Sequence, residues 1–226
     1  MRTLIVAGEP GGSIPAVRQR ISQAWGGARV SDHHGMTETG PVTYECPAQG
    51  GVLHVLESAY LAEVIEPASG KAAKAGESGE LVLTTLGRIG MPLLRYRTGD
   101  LVKPRLKGSG CSCGSPELAL EGGIIGRTDE MLTVRGVNIF PSAIEAIVCK
   151  CEAITEYQVE FNKTATLPEL NVRIETSSEG PEAIGLAREL ERNFDIALGI
   201  RIPVVAVPRG TLPKFELKAK RWVTKS

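Results

Sequence analysis

Asp100 closes the run Tyr96-Arg97-Thr98-Gly99-Asp100, a short polar stretch that follows apolar Met91-Pro92-Leu93-Leu94 and precedes Leu101-Val102. That pattern predicts a strand end, a turn and a strand start, so one carboxylate is presented at a loop. A carboxylate is a two-oxygen acceptor, suited to the adjacent hydroxyls of a ribose, although a capped turn bearing a surface Asp is the plainer alternative. A second acid, Glu38, sits in Asp32-His33-His34-Gly35-Met36-Thr37-Glu38-Thr39-Gly40. A carboxylate beside small hydroxyl residues in a Gly-bounded loop suits hydrated Mg²⁺ with phosphate oxygens. Cys46, His54, Cys111 and Cys113 make a Cys3His set that matches the tetrahedral preference of structural Zn²⁺. Their spacing is not that of a standard finger, and the alternative is a core Cys46, a satisfied His54 and an exposed thiol loop.

The elements that must position these groups follow from local pattern. Thr3 to Ala7 reads as a strand ending at Gly8-Glu9-Pro10-Gly11-Gly12, and Ser13 with Pro15 starts an amphipathic helix through Trp25. Glycine there would let main chain approach a flat ligand closely, or it is simply a connection. Ala28 to Ser31 reads as a strand, and Tyr44 to Val55 as a hairpin with His54 in its second strand. Glu63 to Glu66 and Gly79 to Thr85 are short strands of a small β subdomain whose charges read as a solvated face. Gly122-Gly123 before Ile124 to Asp129 marks a candidate domain boundary. Beyond it, Thr133 to Val137 reads as a strand and Pro141 to Cys149 as a helix. Tyr157 to Phe161 and Glu169 to Glu175 read as a hairpin, Pro181 to Leu198 as an amphipathic helix and Ile202 to Val207 as a strand. The tail from Gly210 to Arg221 is basic, ordinarily a solvated end.

Composition narrows the function classes. A hydrophobic content of 42% in 226 residues supports a packed core, in one large domain or two small ones. Lys plus Arg equals Asp plus Glu at 26 each, so no general attraction to nucleic acid or an anionic membrane is expected and any anion site must be local. No apolar run approaches the ~20 residues of a membrane span, and Met1-Arg2-Thr3 does not read as a signal peptide, so a cytoplasmic address is expected. Five cysteines argue for free thiols or metal ligands rather than a disulfide framework.

In their order, these segments resemble the adenylate-forming superfamily of acyl-CoA ligases. Within it the likeness is to the phenylacetate-CoA ligase family, carried by Gly8-Glu9-Pro10, by Met91 to Leu101, and by Arg135-Gly136-Val137-Asn138-Ile139-Phe140-Pro141-Ser142. The likeness covers nearly the whole chain, but family members are longer and carry a Ser/Thr/Gly-rich phosphate loop upstream that this sequence does not contain. The resemblance therefore implies the C-terminal half of a ligase: residues 1–128 as part of the large α/β adenylation domain with its small β subdomain, and residues 129–226 as a small mobile α+β lid hinged at Asp129. The N-terminal half would be a missing partner.

The resemblance also implies the activity and the roles. A carboxylic acid, aromatic in this branch, is activated by ATP to an acyl-adenylate and transferred to coenzyme A. Gly8, Glu9 and Pro10 would line the adenine pocket. His34 stands where the family has an aromatic, often Tyr, that stacks on adenine. Thr37 would contact phosphate, Glu38 would hold Mg²⁺, Asp100 would grip the ribose and Arg127 would face the nucleotide. Gly136 would line the pantetheine tunnel. Lys218 stands at the position of the catalytic lysine, although Leu217 replaces the Gly that usually precedes it, which leaves Lys214 and Lys220 as alternatives. Relatives with similar Cys, His and Cys-x-Cys positions make Zn²⁺ at Cys46, His54, Cys111 and Cys113 part of the expectation. Arg97 is open between a nucleotide contact and a structural ion pair. Two other readings stay open: an adenylyl transferase with a non-CoA acceptor, and a non-catalytic nucleotide- or zinc-binding module. A homodimer is compatible with either.

Overall fold

The chain divides into two units, Met1–Glu130 and Met131–Ser226. The computed structural model describes residues 1–8, 12–74, 76–106, 110–163, 168–214 and 220–225, so Glu9, Pro10, Leu217 and Lys218 lie outside the described residues.

In the first unit β1 (Thr3–Val6) and β2 (Arg29–Asp32) pair in parallel across α1 (Pro15–Ala24). Pro15 opens α1, where its missing N–H leaves no orphan donor and its fixed φ suits a helix. Arg18 ties this βαβ unit down: its guanidinium donates to the carbonyls of Gly12 (2.6 Å) and Val30 (2.7 Å) and to Glu45 (2.6 Å). Beside it the Ser13 hydroxyl donates to the buried Asp32 carboxylate at 2.7 Å. A Cβ on Gly12 would stand 2.4 Å from that carboxyl group, so only glycine fits there.

Burial raises the Asp32 carboxyl above the usual carboxylate range, with Glu45 adding to the effect and Ser13 opposing it. A raised folded value means the favourable contribution is fully present below the unfolded value and is lost as pH rises through the raised one. Asp32→Asn keeps an oxygen for Ser13 and removes the charge. It is expected to raise the first thermal transition at pH 7 by a few degrees and to flatten its rise on acidification, measured by melts at neutral and mildly acidic pH. A lower midpoint at pH 7 would count against this account.

β3 (Gly35–Met36) and β4 (Gly40–Pro41) form a small hairpin turned by residues 37–39, where the sequence predicts a plain loop. A six-stranded antiparallel sheet then takes β5 (Thr43–Glu45), β6 (Val52–Val55), β7 (Tyr60–Ile65), β8 (Gly79–Thr85), β9 (Tyr96–Pro104) and β10 (Ala119–Arg127) in the order β5-β6-β10-β9-β8-β7. Its core is Val42, Leu53, Val55, Tyr60, Leu81, Leu83, Val102 and Leu120.

Tyr96 to Asp100 is not the expected turn between strands but part of β9; Gly122-Gly123, expected to flank the boundary, lie within β10, and the chain divides after Glu130. Both are places where a strand departs from regular pairing. The β9–β10 register shifts on either side of Ile124, and Gly123 (φ 65) approaches so closely that a Cβ would meet Ser13 Oγ at 2.3 Å. Glycines that admit an irregular strand leave the same local signature as glycines that end one.

The second unit opens with a hairpin, β11 (Leu132–Val134) and β12 (Val137–Ile139), where a single strand from Thr133 to Val137 is expected. The turn lies at Arg135 and Gly136, both at positive φ (49 and 82). α2 (Pro141–Val148), β13 (Ile154–Asn162), β14 (Glu169–Thr176) and α3 (Pro181–Leu198) follow, then β15 (Val204–Ala206) and β16 (Trp222–Lys225). The sheet order is β15-β14-β13-β16. α3 buries Ala183, Ala187, Leu190 and Phe194 along one stripe, starts at Pro181 and stops at Gly199 in the left-handed conformation. β16 pairs in parallel with β13 and is not anticipated from the sequence. The residues flanking 215–219 are tied to this unit. The Leu212 N–H donates to buried Glu175 at 2.6 Å, and Arg221 donates to Glu156 at 2.7 Å while lying over the Tyr157 ring at 4.9 Å. Among the described residues no helix is long and apolar enough to cross a membrane.

Candidate nucleotide site and candidate metal centre

Asp100 is 5% exposed and sits at the middle of a chain of charged contacts. One of its oxygens takes His34 Nε2 at 2.9 Å and the other takes Arg127 Nη1 at 3.2 Å. Arg127 also holds Asp129 in a two-point pair, at 2.9 and 3.2 Å, which keeps the Asp129 carboxyl below the usual range. Three of the predicted site residues, His34, Asp100 and Arg127, are thus brought together, from the segment before β3, from β9 and from β10. A carboxylate can accept about four hydrogen bonds, so Asp100 keeps acceptor capacity beyond these two. His34 Nδ1 is buried and has no hydrogen-bond partner. With a carboxylate at Nε2, the ring is held edge-on to Asp100.

Thr37 and Glu38 lie on the exposed turn of the β3–β4 hairpin, which begins one residue after His34. That turn is held from behind: the Tyr60 hydroxyl donates to the Thr39 carbonyl at 2.7 Å, and Arg88 donates to the Glu38 carbonyl. An exposed carboxylate on a braced turn fits a hydrated Mg²⁺, which keeps most of its own waters. Gly8 is at positive φ (83) after β1, and Gly136 is in the second unit.

The sequence reading missed Glu80. Its charge is not part of a solvated face: it is 2% exposed and accepts Arg97 Nε at 2.9 Å, Arg97 Nη2, and the Gly99 N–H at 3.2 Å. The available signal was a lone acid directly before the apolar run Leu81-Val82-Leu83. Arg97 accordingly makes a structural ion pair.

Cys46, His54, Cys111 and Cys113 converge, with all four ligand atoms within 4.8 Å of one another. Cys46 Sγ lies 3.4 Å from Cys111 Sγ, and Cys113 Sγ 3.4 Å from His54 Nε2. A tetrahedron with Zn–S of about 2.3 Å and Zn–N of about 2.0 Å has edges of roughly 3.5–3.8 Å, so these donors need little movement to close on an ion. His54 Nδ1 faces the Glu117 carbonyl at 3.4 Å, the outer contact that leaves Nε2 bare for a metal. Tyr44 stacks on His54 (ring centroids 5.3 Å apart), and its hydroxyl donates to Glu117 at 2.6 Å. The Cys111 thiol is lowered to about 6, chiefly by the Cys113 backbone N–H, whereas burial pushes the Cys46 thiol up.

Known proteins share this arrangement of elements. Residues 136–225 match the model of the AMP-binding enzyme C-terminal domain. The phenylacetate-coenzyme A ligase of Thermus thermophilus is 32% identical over 221 residues, which cover 89% of this chain and 49% of that protein. That of Escherichia coli is 32% identical over 214 residues, covering 91% and 47%. Over nearly its whole length this chain is similar to the phenylacetate-CoA ligases. It spans about half the length of the curated relatives it matches. Among solved structures, 2-hydroxyisobutyryl-CoA ligase in the postadenylation state, in complex with R3-HIB-AMP, superimposes with a TM-score of 0.90 at 28% identity, covering 99% of this chain and 48% of that one. The α/β and α+β units described above, the expected fold class, match those of that ligase.

Proposed function

We propose that this chain is the nucleotide-gripping part of an ATP-dependent carboxylate–CoA ligase. The observation that carries the proposal is the His34–Asp100–Arg127 cluster, set one residue from the hairpin that displays Thr37 and Glu38. A carboxylate oxygen of the acid attacks the α-phosphorus of ATP, and the bond to pyrophosphate breaks. The resulting acyl-adenylate is then attacked at its carbonyl carbon by the thiol of coenzyme A, and AMP leaves. Asp100 accepts hydrogen bonds from the ribose hydroxyls, the Gly8-Glu9-Pro10 loop and His34 flank adenine, Thr37 meets phosphate and Arg127 faces the nucleotide. Glu38 would hold Mg²⁺, which when bound would supply positive charge to the phosphates. Lys218 stabilises charge that builds on the α-phosphate, and Gly136 lets pantetheine pass close to the main chain once the lid has turned about Asp129. The acid is aromatic, the remaining family segment supplies its pocket, and the setting is cytoplasmic.

Nucleotide binding tests this reading. AMP titrated into the chain is expected to bind at a single site, and calorimetry showing no binding of AMP or ATP overturns it. The 226-residue chain alone is expected to be a poor catalyst, with pyrophosphate release far below that of complete ligases in the same assay, because the phosphate loop and acyl pocket are not among its segments.

A structural Zn²⁺ at Cys46, His54, Cys111 and Cys113 is a second part of the proposal. The convergence of four soft donors with a carbonyl behind the imidazole favours it.

A further inference from the structure

β8 and β9 fall out of step beside the nucleotide site. Glu80 pairs with Leu101, and Val82 with Arg97. Between those pairs β8 has Leu81 alone, whereas β9 has Thr98, Gly99 and Asp100. The excess residues must leave the ladder, and they do so with Gly99 at φ 78, a conformation open chiefly to glycine. A Cβ on Gly99 would stand 2.8 Å from Arg127 Nη2, so the bulge also makes room for the guanidinium that holds Asp100.

A bulge strands backbone groups, and here the N–H groups of Gly99 and Asp100 and the Gly99 carbonyl have partners. The Thr98 hydroxyl donates to the Leu81 carbonyl at 2.8 Å and accepts the Asp100 N–H at 3.0 Å. The Gly99 N–H goes to Glu80 Oε1 at 3.2 Å, and the Gly99 carbonyl accepts the Thr128 N–H at 2.7 Å. Glu80 Oε2 meanwhile accepts from Arg97 at the start of the bulge. One buried carboxylate therefore holds two points of the backbone excursion that ends at Asp100.

We infer that Glu80 is a positioning residue for the ribose grip: it acts through the bulge to set where the Asp100 carboxylate stands, and does not itself touch the nucleotide. The inference rests on the reading of Asp100 as the acceptor of the ribose hydroxyls. Burying an acid in a sheet costs stability unless its acceptors are filled, and Glu80 has both oxygens engaged on this one excursion.

The test compares AMP with 2′,3′-dideoxy-AMP, which lacks both hydroxyls, by calorimetry on the full chain. Glu80→Ala is expected to weaken AMP about tenfold, the scale of one well-made hydrogen bond to a charged group, and to leave the dideoxy analogue within about twofold. The preference for ribose hydroxyls then collapses. An equal loss for both ligands, or no loss, overturns the inference. Arg97→Gln removes the charge from the other half of the clamp at a side chain 54% exposed, and circular dichroism checks that this variant is folded. It is expected to lower the same preference by a smaller factor, and an unchanged preference in this variant also overturns the inference. Asp100→Asn separates the two levels. If it leaves the preference intact, the ribose reading falls and the role of Glu80 with it; if it abolishes the preference while Glu80→Ala does not, only the role of Glu80 falls.

Discussion

Asp100→Ala is expected to weaken AMP binding by about 30-fold or more. A hydrogen bond to a charged group is worth about 1.5–3 kcal/mol, and about 2 kcal/mol is already a factor of about 30 in affinity. Asp100 is the proposed acceptor of such bonds from the ribose hydroxyls, and it is held in place by His34 at 2.9 Å and Arg127 at 3.2 Å. Alanine removes the proposed ribose acceptor and also leaves the guanidinium without its inner carboxylate, so Arg127 keeps the exposed Asp129 and the Thr98 carbonyl. Calorimetric titration of the two proteins with AMP measures the loss, and circular dichroism checks that the variant is folded. Equal affinity in wild type and variant would remove Asp100 from the nucleotide site and with it the central contact of the proposed function.

Removal of a metal from the four-ligand cluster carries the second large effect. The purified chain is expected to contain about one zinc per molecule by elemental analysis. Chelation, or Cys111→Ser with Cys113→Ser, is expected to lower the first thermal transition by on the order of 10 °C. Binding energy at a structural site is folding energy, and a few kcal/mol shifts the midpoint of a domain this size by that much. The physical reason lies in what the ligands connect. Cys46 follows β5, His54 belongs to β6, and Cys111 and Cys113 sit in the stretch leading to β10. An ion there would staple the edge of the six-stranded sheet to the stretch that carries Cys111 and Cys113. The remaining contacts near it are few: Cys46, Val52 and Ala119 form a small buried cluster with Cys111 and Cys113 packed on it. Metal-free protein from zinc-supplemented expression, melting at the same temperature with and without chelator, would remove the zinc assignment.

Much of the second unit was legible because its signals are local. α3 announces itself by Pro181 at the start, Gly199 at the stop and an apolar stripe between them, and the observed helix has the expected ends. β13 and β14 largely alternate buried and half-buried residues, the period of a strand with one covered face, and they pair as the expected hairpin. β16 was not legible. It is a short strand after a basic stretch, and it becomes a strand only because β13 offers it an edge. In the first unit the same limit appears around glycine. At Gly99 and at Gly122-Gly123 the residue types signalled an interruption, but whether a chain with extra residues turns, ends or bulges depends on its neighbours across the sheet.

The sequence by itself determined which side chains could do chemistry: the acids Glu38 and Asp100, the base-side His34 and Arg127, and the four soft ligands. Residue type and short spacing are covalent facts, and they need no fold to be read. Only the tertiary structure decided that His34 and Arg127 both close on Asp100, that Glu80 is buried beneath the bulge rather than solvated, and that Cys46 and His54 stand beside Cys111 and Cys113. Those placements depend on strand order and register among segments far apart in the chain. Such pairings are chosen by the burial and hydrogen bonding of whole strands, not by the residues that end up touching.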